Sequence, residues 1–361
     1  MLFRRAILAT VAASSWCALP LAAQDSAHVA RAAVQDTLRI APVALHGFLQ
    51  VYYRSGDPLI KDGYRLRKAD LKFSGEISPV LRWRIAFDAA KLLTLNKTID
   101  ASDSSALADA AVDQKTRMLQ DAALTYRVND HLQIDVGQQV VPLSYEGTIP
   151  SSKVETIERV LFISERSRAV GLGDVRDLGV SANGFVPWLE YHVGVFNEAG
   201  EGAGTTDGND QKAVIGRFAI KPPMLPGFQI GGSGGFEGGP PVQHRERAGS
   251  EIQYQTPRLT LRAESMSARD GLLHRFGWYG LGAVRPAARW QFTARFDSWD
   301  RDRTHEASVN DALERQVVGA ASYVLDESGA RVVLNVIRQS FPVVTTVRSG
   351  TILLAAFQAV W

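Results

Sequence analysis

A single cysteine, Cys17, is all the thiol chemistry that the 361 residues contain, and it sits in a stretch expected to be cut away. Disulfide frameworks and thiolate metal sites are therefore excluded from the mature chain. A long apolar helix is missing as well. Arg4-Arg5 opens the chain, an apolar run from Ala6 to Ala13 follows, and small residues lead to Leu21-Ala22-Ala23-Gln24. A membrane anchor needs about 20 uninterrupted apolar residues, and Ser14, Ser15 and Pro20 break this run too early. The order basic, apolar, small instead predicts a secretory signal over residues 1–23, cleaved near Ala23 or Gln24. Trp16 is too bulky for the small residue that precedes a lipidated cysteine, so Cys17 should leave with the signal. Downstream, charged residues interrupt every apolar run.

An excess of charge of either sign is also lacking. Lysine and arginine total 40 against 38 aspartates and glutamates, and removal of Arg4 and Arg5 leaves 38 against 38, a net charge of zero. Non-specific nucleic-acid binding rests on net positive potential, so no nucleic-acid partner is expected. Any anion preference must come from local placement of charge. Catalytic signatures are absent too. His46, His131, His192, His244, His274 and His305 are scattered, with neither an HExxH nor a GxSxG motif. The glycine-rich Gly231–Gly239 has no lysine of a phosphate loop and reads as a strand end and turn, and His192 with Glu190 reads as polar lining. No enzyme activity and no cofactor are expected.

What the chain has is a period of two. Leu45, Gly47, Leu49, Val51 and Tyr53 share one face, and His46, Gln50, Tyr52 and Arg54 the other. Leu81, Trp83, Ile85, Phe87 and Ala89 alternate with Arg82, Arg84 and Asp88; Trp290, Phe292, Ala294 and Phe296 oppose Arg289, Thr293, Arg295 and Asp297. Alternation places these sets on opposite faces of a strand. Strands of soluble sandwiches commonly run ~5–6 residues, whereas several runs here last about ten or more, the length that a tilted strand needs to cross a hydrocarbon layer. Turn residues divide residues 44–361 into about sixteen segments: 44–54, 63–75, 80–91, 116–128, 130–139, 173–184, 187–197, 211–221, 226–235, 246–256, 258–268, 272–284, 287–299, 314–325, 330–340 and 350–361. Tight turns such as Val128-Asn129-Asp130 and Thr256-Pro257 alternate with long polar connections such as 91–115, 140–172, 198–210 and 298–313.

These features predict an all-β protein, a transmembrane antiparallel barrel of about sixteen strands in one domain, 44–361, with 24–43 as a flexible lead-in. Such a barrel is expected in the outer membrane of a Gram-negative-type cell, in contact with its lipid. Leu353, Ala355, Phe357, Ala359 and Trp361 alternate up to a terminal aromatic. That ending resembles the signal read by the barrel-assembly machinery, with Phe357 and Trp361 as its residues. On a soluble edge strand it would invite aggregation. The competing readings are a secreted soluble β-sandwich that binds a ligand, and an outer-membrane barrel hydrolase.

Several stretches resemble the phosphate-selective porin O and P family. They are Gly63-Tyr64-Arg65-Leu66-Arg67-Lys68-Ala69-Asp70-Leu71-Lys72-Phe73-Ser74-Gly75, then Trp83–Asp88, Asp121–Arg127 leading into Leu132–Gln138, and Pro142-Leu143-Ser144-Tyr145-Glu146. Ser151-Ser152, Ile157-Glu158-Arg159, Gly194–Asn197, Asp207–Asp210 and Gly216-Arg217 follow in order. The resemblance spans roughly 44–361 and is clearest before residue 220. It implies a homotrimeric porin whose third extracellular loop, here 140–172, folds inward to narrow the channel. The solutes it implies are small hydrophilic anions such as phosphate or polyphosphate. This chain departs from the family in having Arg67-Lys68 where the family pairs two arginines, and lysines are sparse in its second half.

Residues 64–73 change phase: Tyr64 and Leu66 turn even positions outward, while Ala69, Leu71 and Phe73 turn odd positions outward. A β-bulge near 67–68 reconciles them, and would direct Arg65, Arg67, Lys68, Asp70 and Lys72 into the lumen. With Arg82, Arg84 and Asp88 on the next strand, and Arg217 further along, they form the expected pore lining. Arg166 and Arg168 would sit on the inward loop near the narrowest point, against Glu155, Glu158 and Glu165. Arginine at a constriction favours anions because charge there is poorly screened, and its donor fork matches phosphate and carboxylate.

Overall fold

The computed structural model describes residues 42–57, 61–90, 118–163, 172, 176–197, 211–238, 244–304, 313–326, 329–342 and 349–361. Alternation of apolar and polar residues gives sixteen strands. In chain order they are β1 (Ala44–Ser55), β2 (Gly63–Ser78), β3 (Leu81–Asp88), β4 (Leu119–Arg127), β5 (Gln133–Val140), β6 (Arg176–Val186), β7 (Leu189–Phe196) and β8 (Ala213–Ile220). The second half continues with β9 (Phe228–Glu237), β10 (Arg245–Gln255), β11 (Leu259–Asp270), β12 (Leu273–Ala287), β13 (Trp290–Asp300), β14 (Leu313–Val324), β15 (Arg331–Ser340) and β16 (Gly350–Val360). Each pairs antiparallel with the next, and β16 returns to β1 to close the barrel. All sixteen segments read from the alternation are present, with ends shifted by a few residues. Closure removes the sandwich alternative, because a sandwich keeps its edges.

A closed barrel satisfies every strand backbone group internally, which is what lets it stand in hydrocarbon. The side chains follow the period. On β16, Leu353 and Phe357 point outward and are half exposed, while Ile352, Leu354, Ala356 and Gln358 are buried inside. No helix among the described residues is long and apolar enough to cross a membrane; this chain crosses with strands.

The seam is held by β1 and β16 from Phe48↔Val360 to Ser55↔Leu353. One step further, the Gly47 N–H donates to the Trp361 carbonyl at 2.8 Å and the Trp361 N–H returns to Gly47 at 3.2 Å. The Trp361 indole lies over Gly47, where a Cβ would meet ring atoms at 2.1 Å. Glycine makes room for the terminal aromatic at the point where the first and last strands meet.

The phase change on β2 is also explained. Gln50 pairs with Lys68 and Val51 with Leu66, so Arg67 is an extra residue in the ladder. The bulge puts both Arg67 and Lys68 inside, where both are buried. One connection departs from the general pattern: β11 and β12 meet through Gly271-Leu272, a tight turn on the rim that otherwise carries the longer loops, with Gly271 at φ +60°.

Candidate functional site: the lumen and its inward loop

β5 ends at Val140, and the chain then turns into the barrel instead of continuing past its rim. The elbow is built around Ser144, the only non-glycine residue among those described with a positive φ, at +67°. A non-glycine residue held this way costs of order 1–3 kcal/mol and persists only where its surroundings fix it. Here the fixing group is a buried carboxylate across the lumen, Glu264 of β11. Its Oε2 accepts from the Ser144 hydroxyl at 2.6 Å and the Tyr145 N–H at 2.8 Å. Its Oε1 accepts from the Glu146 N–H at 2.9 Å and the Tyr279 hydroxyl at 2.6 Å. The Ser144 N–H reaches Ser233 of β9 at 3.0 Å, and its Oγ accepts from the Gly147 N–H, capping the short helix α1 (Tyr145–Thr148).

Beyond the elbow, arginines of alternate strands hold the loop to one wall. Arg262 of β11 donates to both oxygens of Glu155 at 2.9 and 3.2 Å and to Glu146 at 3.3 Å. Its guanidinium stacks 4.6 Å over the Tyr145 ring. Arg295 of β13 donates to the Thr156 hydroxyl at 2.6 Å and the Glu158 carbonyl at 2.8 Å. Arg331 of β15 donates to the carbonyls of Ser152 and Val154, and Arg54 of β1 pairs with Glu158 at 3.1 Å. Apolar contacts reinforce the seat. Leu143, Val160, Phe162 and Ile163 enter one buried cluster with Met266, Tyr279 and Trp299. Ile157 enters a second with Tyr52, Val333, Ile337, Ile352 and Leu354. Each such side chain gains about 1.5–3 kcal/mol from burial. The loop thus lies against inner-face residues of β9, β11–β16 and β1, and its Tyr145 ring also meets Arg217 of β8 at 5.4 Å.

On β2–β8 the basic residues expected from the sequence are present, but most carry an acidic partner. Lys68 pairs with Asp88 at 3.0 Å, both buried; Asp88 also accepts the Ala69 and Ala90 N–H groups. Arg84 pairs with Asp135 at 3.3 Å and donates to Thr125. Arg217 lies between Glu251, at 2.6 Å, and Glu190, at 2.8 Å. Arg82 and Glu76 are 3.4 Å apart and both well exposed. Arg67 donates to Gln50 at 2.9 Å, and Arg65 to the Lys61 carbonyl at 3.2 Å. Arg166 and Arg168 lie outside the described residues, as does Glu165. These residues are therefore a mosaic of largely paired charges, not a bare basic surface.

The residues that hold the loop were not singled out in the sequence. Arg262, Glu264 and Arg295 look there like any other polar member of an alternating strand. A signal did exist in β15 and β16. Val332-Val333-Leu334 and Ile352-Leu353-Leu354-Ala355-Ala356-Phe357 are apolar on both faces, as strands buried on both sides are. In a barrel with a wet interior, such a strand marks where the lumen face is covered.

The elbow should respond to protons. Glu146 is buried, and burial pushes its carboxyl up to about 7; Arg159 and Arg262 pull it down, and Glu155 and Glu264 push it up. Tyr279 of β12 is the other titratable group facing it. In a released loop the group would return toward its ordinary 4.5. The seated loop therefore binds this proton more tightly, so seating is strongest below about 4.5, weakens as pH rises from 4.5 through 7, and levels off above 7. Open-channel current noise should be lower at about pH 5.5 than at about pH 8, and Glu146→Gln should remove the difference. Equal noise at both values in the wild-type channel would contradict this.

A sixteen-stranded closed barrel with a polar, charged interior and a loop folded inside it is the geometry of a diffusion channel. The sequence model of the family Phosphate-selective porin O and P matches residues 45–264, more than half of the chain. The chain belongs to that family. It is an outer-membrane porin forming a water-filled channel for passive diffusion of small hydrophilic solutes, and its fold and family are those of a channel rather than an enzyme.

Solved structures agree on the fold of this porin. An OmpF of Salmonella typhi in complex with daunomycin superimposes with a TM-score of 0.60 at 11% identity, covering 89% of this chain and 98% of that one. The anion-selective porin of Comamonas acidovorans gives 0.57 at 9% identity, with 89% and 100% covered. The trimer form of OmpT from Vibrio cholerae gives 0.55 at 9%, with 89% and 99% covered. No curated protein sequence matches the chain significantly.

Proposed function

We propose that this porin admits small anions, phosphate among them, with a modest preference over cations. The observation that carries this reading is at the long-loop mouth. Arg245, Arg247 and Arg275 converge on the single carboxylate of Asp270, at 3.9, 2.6 and 3.3 Å. Glu237 faces Arg245 across the ladder, so three guanidinium groups gather in one cluster at this mouth. An incoming anion meets these guanidinium groups before it reaches the paired charges of Lys68, Arg84 and Arg217, whose partners hold their fields short-ranged. The selectivity that the Comamonas porin's description records supports the same direction, and the trimer form of the Vibrio barrel supports a homotrimer. Secretion would follow removal of residues 1–23, with Phe357 and Trp361 read by the assembly machinery.

Screening falls off over about 10 Å at 0.1 M salt, so the bias should be larger in dilute electrolyte. Reversal potentials across asymmetric potassium chloride should report anion preference in the wild-type channel. Arg245→Gln combined with Arg275→Gln should shift them toward cations while the barrel stays folded. A second double variant, Arg67→Gln with Lys68→Gln, should shift them the same way, because it removes two positive charges from the lumen, one of them the cation paired with Asp88. A wild-type channel selective for cations in dilute salt would refute the anion reading and leave a general-diffusion porin.

A further inference from the structure

We propose that Glu264 is the positioning residue that sets the bore of this porin. The inference rests on the reading that the loop after β5 narrows the lumen, and it names the group on which that narrowing depends.

Three features converge on this carboxylate. It lies on β11, a strand of the rigid barrel, yet three of its four hydrogen-bond donors belong to the loop: the Ser144 hydroxyl and the N–H groups of Tyr145 and Glu146. Those three residues are consecutive, and the first is the one whose backbone takes φ +67°. The contact is therefore made at the pivot, where the chain leaves the barrel wall for the lumen. The fourth donor, the Tyr279 hydroxyl of β12, fixes the carboxylate from the next strand, so that the carboxylate is itself held in place. Neighbouring Arg262, two residues earlier on the same face, takes the loop's carboxylates Glu146 and Glu155. One strand thus presents an acceptor to the loop's donors and a donor to its acceptors.

The acceptor capacity of Glu264 is fully used. Both oxygens must accept, which only an ionised carboxylate does for four donors at once. An amide of the same shape offers one accepting oxygen and replaces the other with an N–H₂ group that faces two donors. Glu264→Gln therefore preserves volume and removes the seat of the elbow. Arg295, Arg331 and Arg54 still tether the later part of the loop, so the expected effect is a widened and flickering passage, not a loop thrown clear of the barrel.

The full-length porin reconstituted in planar bilayers and in sugar-permeable liposomes tests this. For Glu264→Gln, unboiled samples should migrate as folded barrel. Single-channel conductance should rise by about 1.5-fold or more as the constriction widens, and the rate for a trisaccharide relative to a monosaccharide should increase. That size ratio is the deciding readout, since a residue that merely stabilised the fold would lower folded yield without changing it. Ser144→Ala and Tyr279→Phe each remove one donor and should move the ratio in the same direction by less. They also decide the matter if Glu264→Gln does not fold. Folded Glu264→Gln with wild-type conductance and size ratio overturns the proposal, as do unchanged ratios in both single-donor variants. Replacement of residues 144–162 by a short Gly-Ser linker separates the two levels. If it widens the pore while Glu264→Gln does not, the anchor is elsewhere; if it also leaves the ratio unchanged, the loop does not set the bore and the underlying reading falls with the proposal.

Discussion

Removal of the last strand, or Trp361→Ala, should leave several-fold less folded protein in the membrane, with deletion the more severe. The reason lies at the seam. β16 supplies the hydrogen-bond partners of β1 from Phe48 to Ser55, and without it two strand edges stand open in lipid. Each unsatisfied backbone group there costs several kcal/mol, so the total far exceeds the ~5–15 kcal/mol that ordinarily separates folded from unfolded chains. Trp361→Ala keeps the strand and removes only the indole over Gly47 and the terminal aromatic proposed as the assembly signal. Its effect should fall on the amount of folded protein, with the conductance of the molecules that do fold unchanged. Immunoblots of boiled and unboiled membrane fractions measure the first, and bilayer recordings the second. Normal levels of heat-modifiable Trp361→Ala protein would count against the terminal aromatic as a determinant of assembly.

Arg262→Ala should unseat the inward loop while leaving the barrel closed. The guanidinium is buried and engages Glu146, both oxygens of Glu155, and Gln253 at 3.0 Å. Its removal leaves two buried carboxylates without their cation, and breaking a buried pair in this way costs about 3–5 kcal/mol. None of that cost falls on the β1–β16 seam or the strand ladder. The loop can escape it by moving its carboxylates into the lumen. Raised conductance, slow switching between levels and new protease cleavage within 144–162, with unchanged heat-modifiable migration, are the expected results. Arg262→Lys should recover little, because an ammonium cannot form the paired contact to Glu155. A folded Arg262→Ala channel with wild-type conductance and protease resistance would show that the apolar clusters around Phe162 and Ile157 hold the loop unaided.

The strands were legible because a barrel writes its geometry into every second residue. Lipid outside and charge inside force opposite chemistry onto the two faces, so the strand count, the seam aromatic and even the bulge at Arg67 could be read from alternation alone. The family motifs before residue 220 were legible for a related reason. Those among the described residues sit on β2–β8 and in the inward loop, where sequence neighbours are also structural neighbours; Asp207–Asp210 lie outside the described residues.

Charge pairing was not legible. Lys68 with Asp88 and Arg84 with Asp135 are separated by 20 and 51 residues, and alternation says which face a residue occupies without saying what stands beside it. The sequence by itself determined that this chain is a closed barrel with a polar interior and an aromatic terminus, since those properties depend on each strand's own pattern. Only the tertiary structure decided that the loop after β5 is held by β1, β9, β11, β13 and β15, that Glu264 and Arg262 seat it, and that the basic residues of β2–β8 are largely paired. Each of these depends on which strands face one another across the lumen, which the closure of the barrel sets and no local period records.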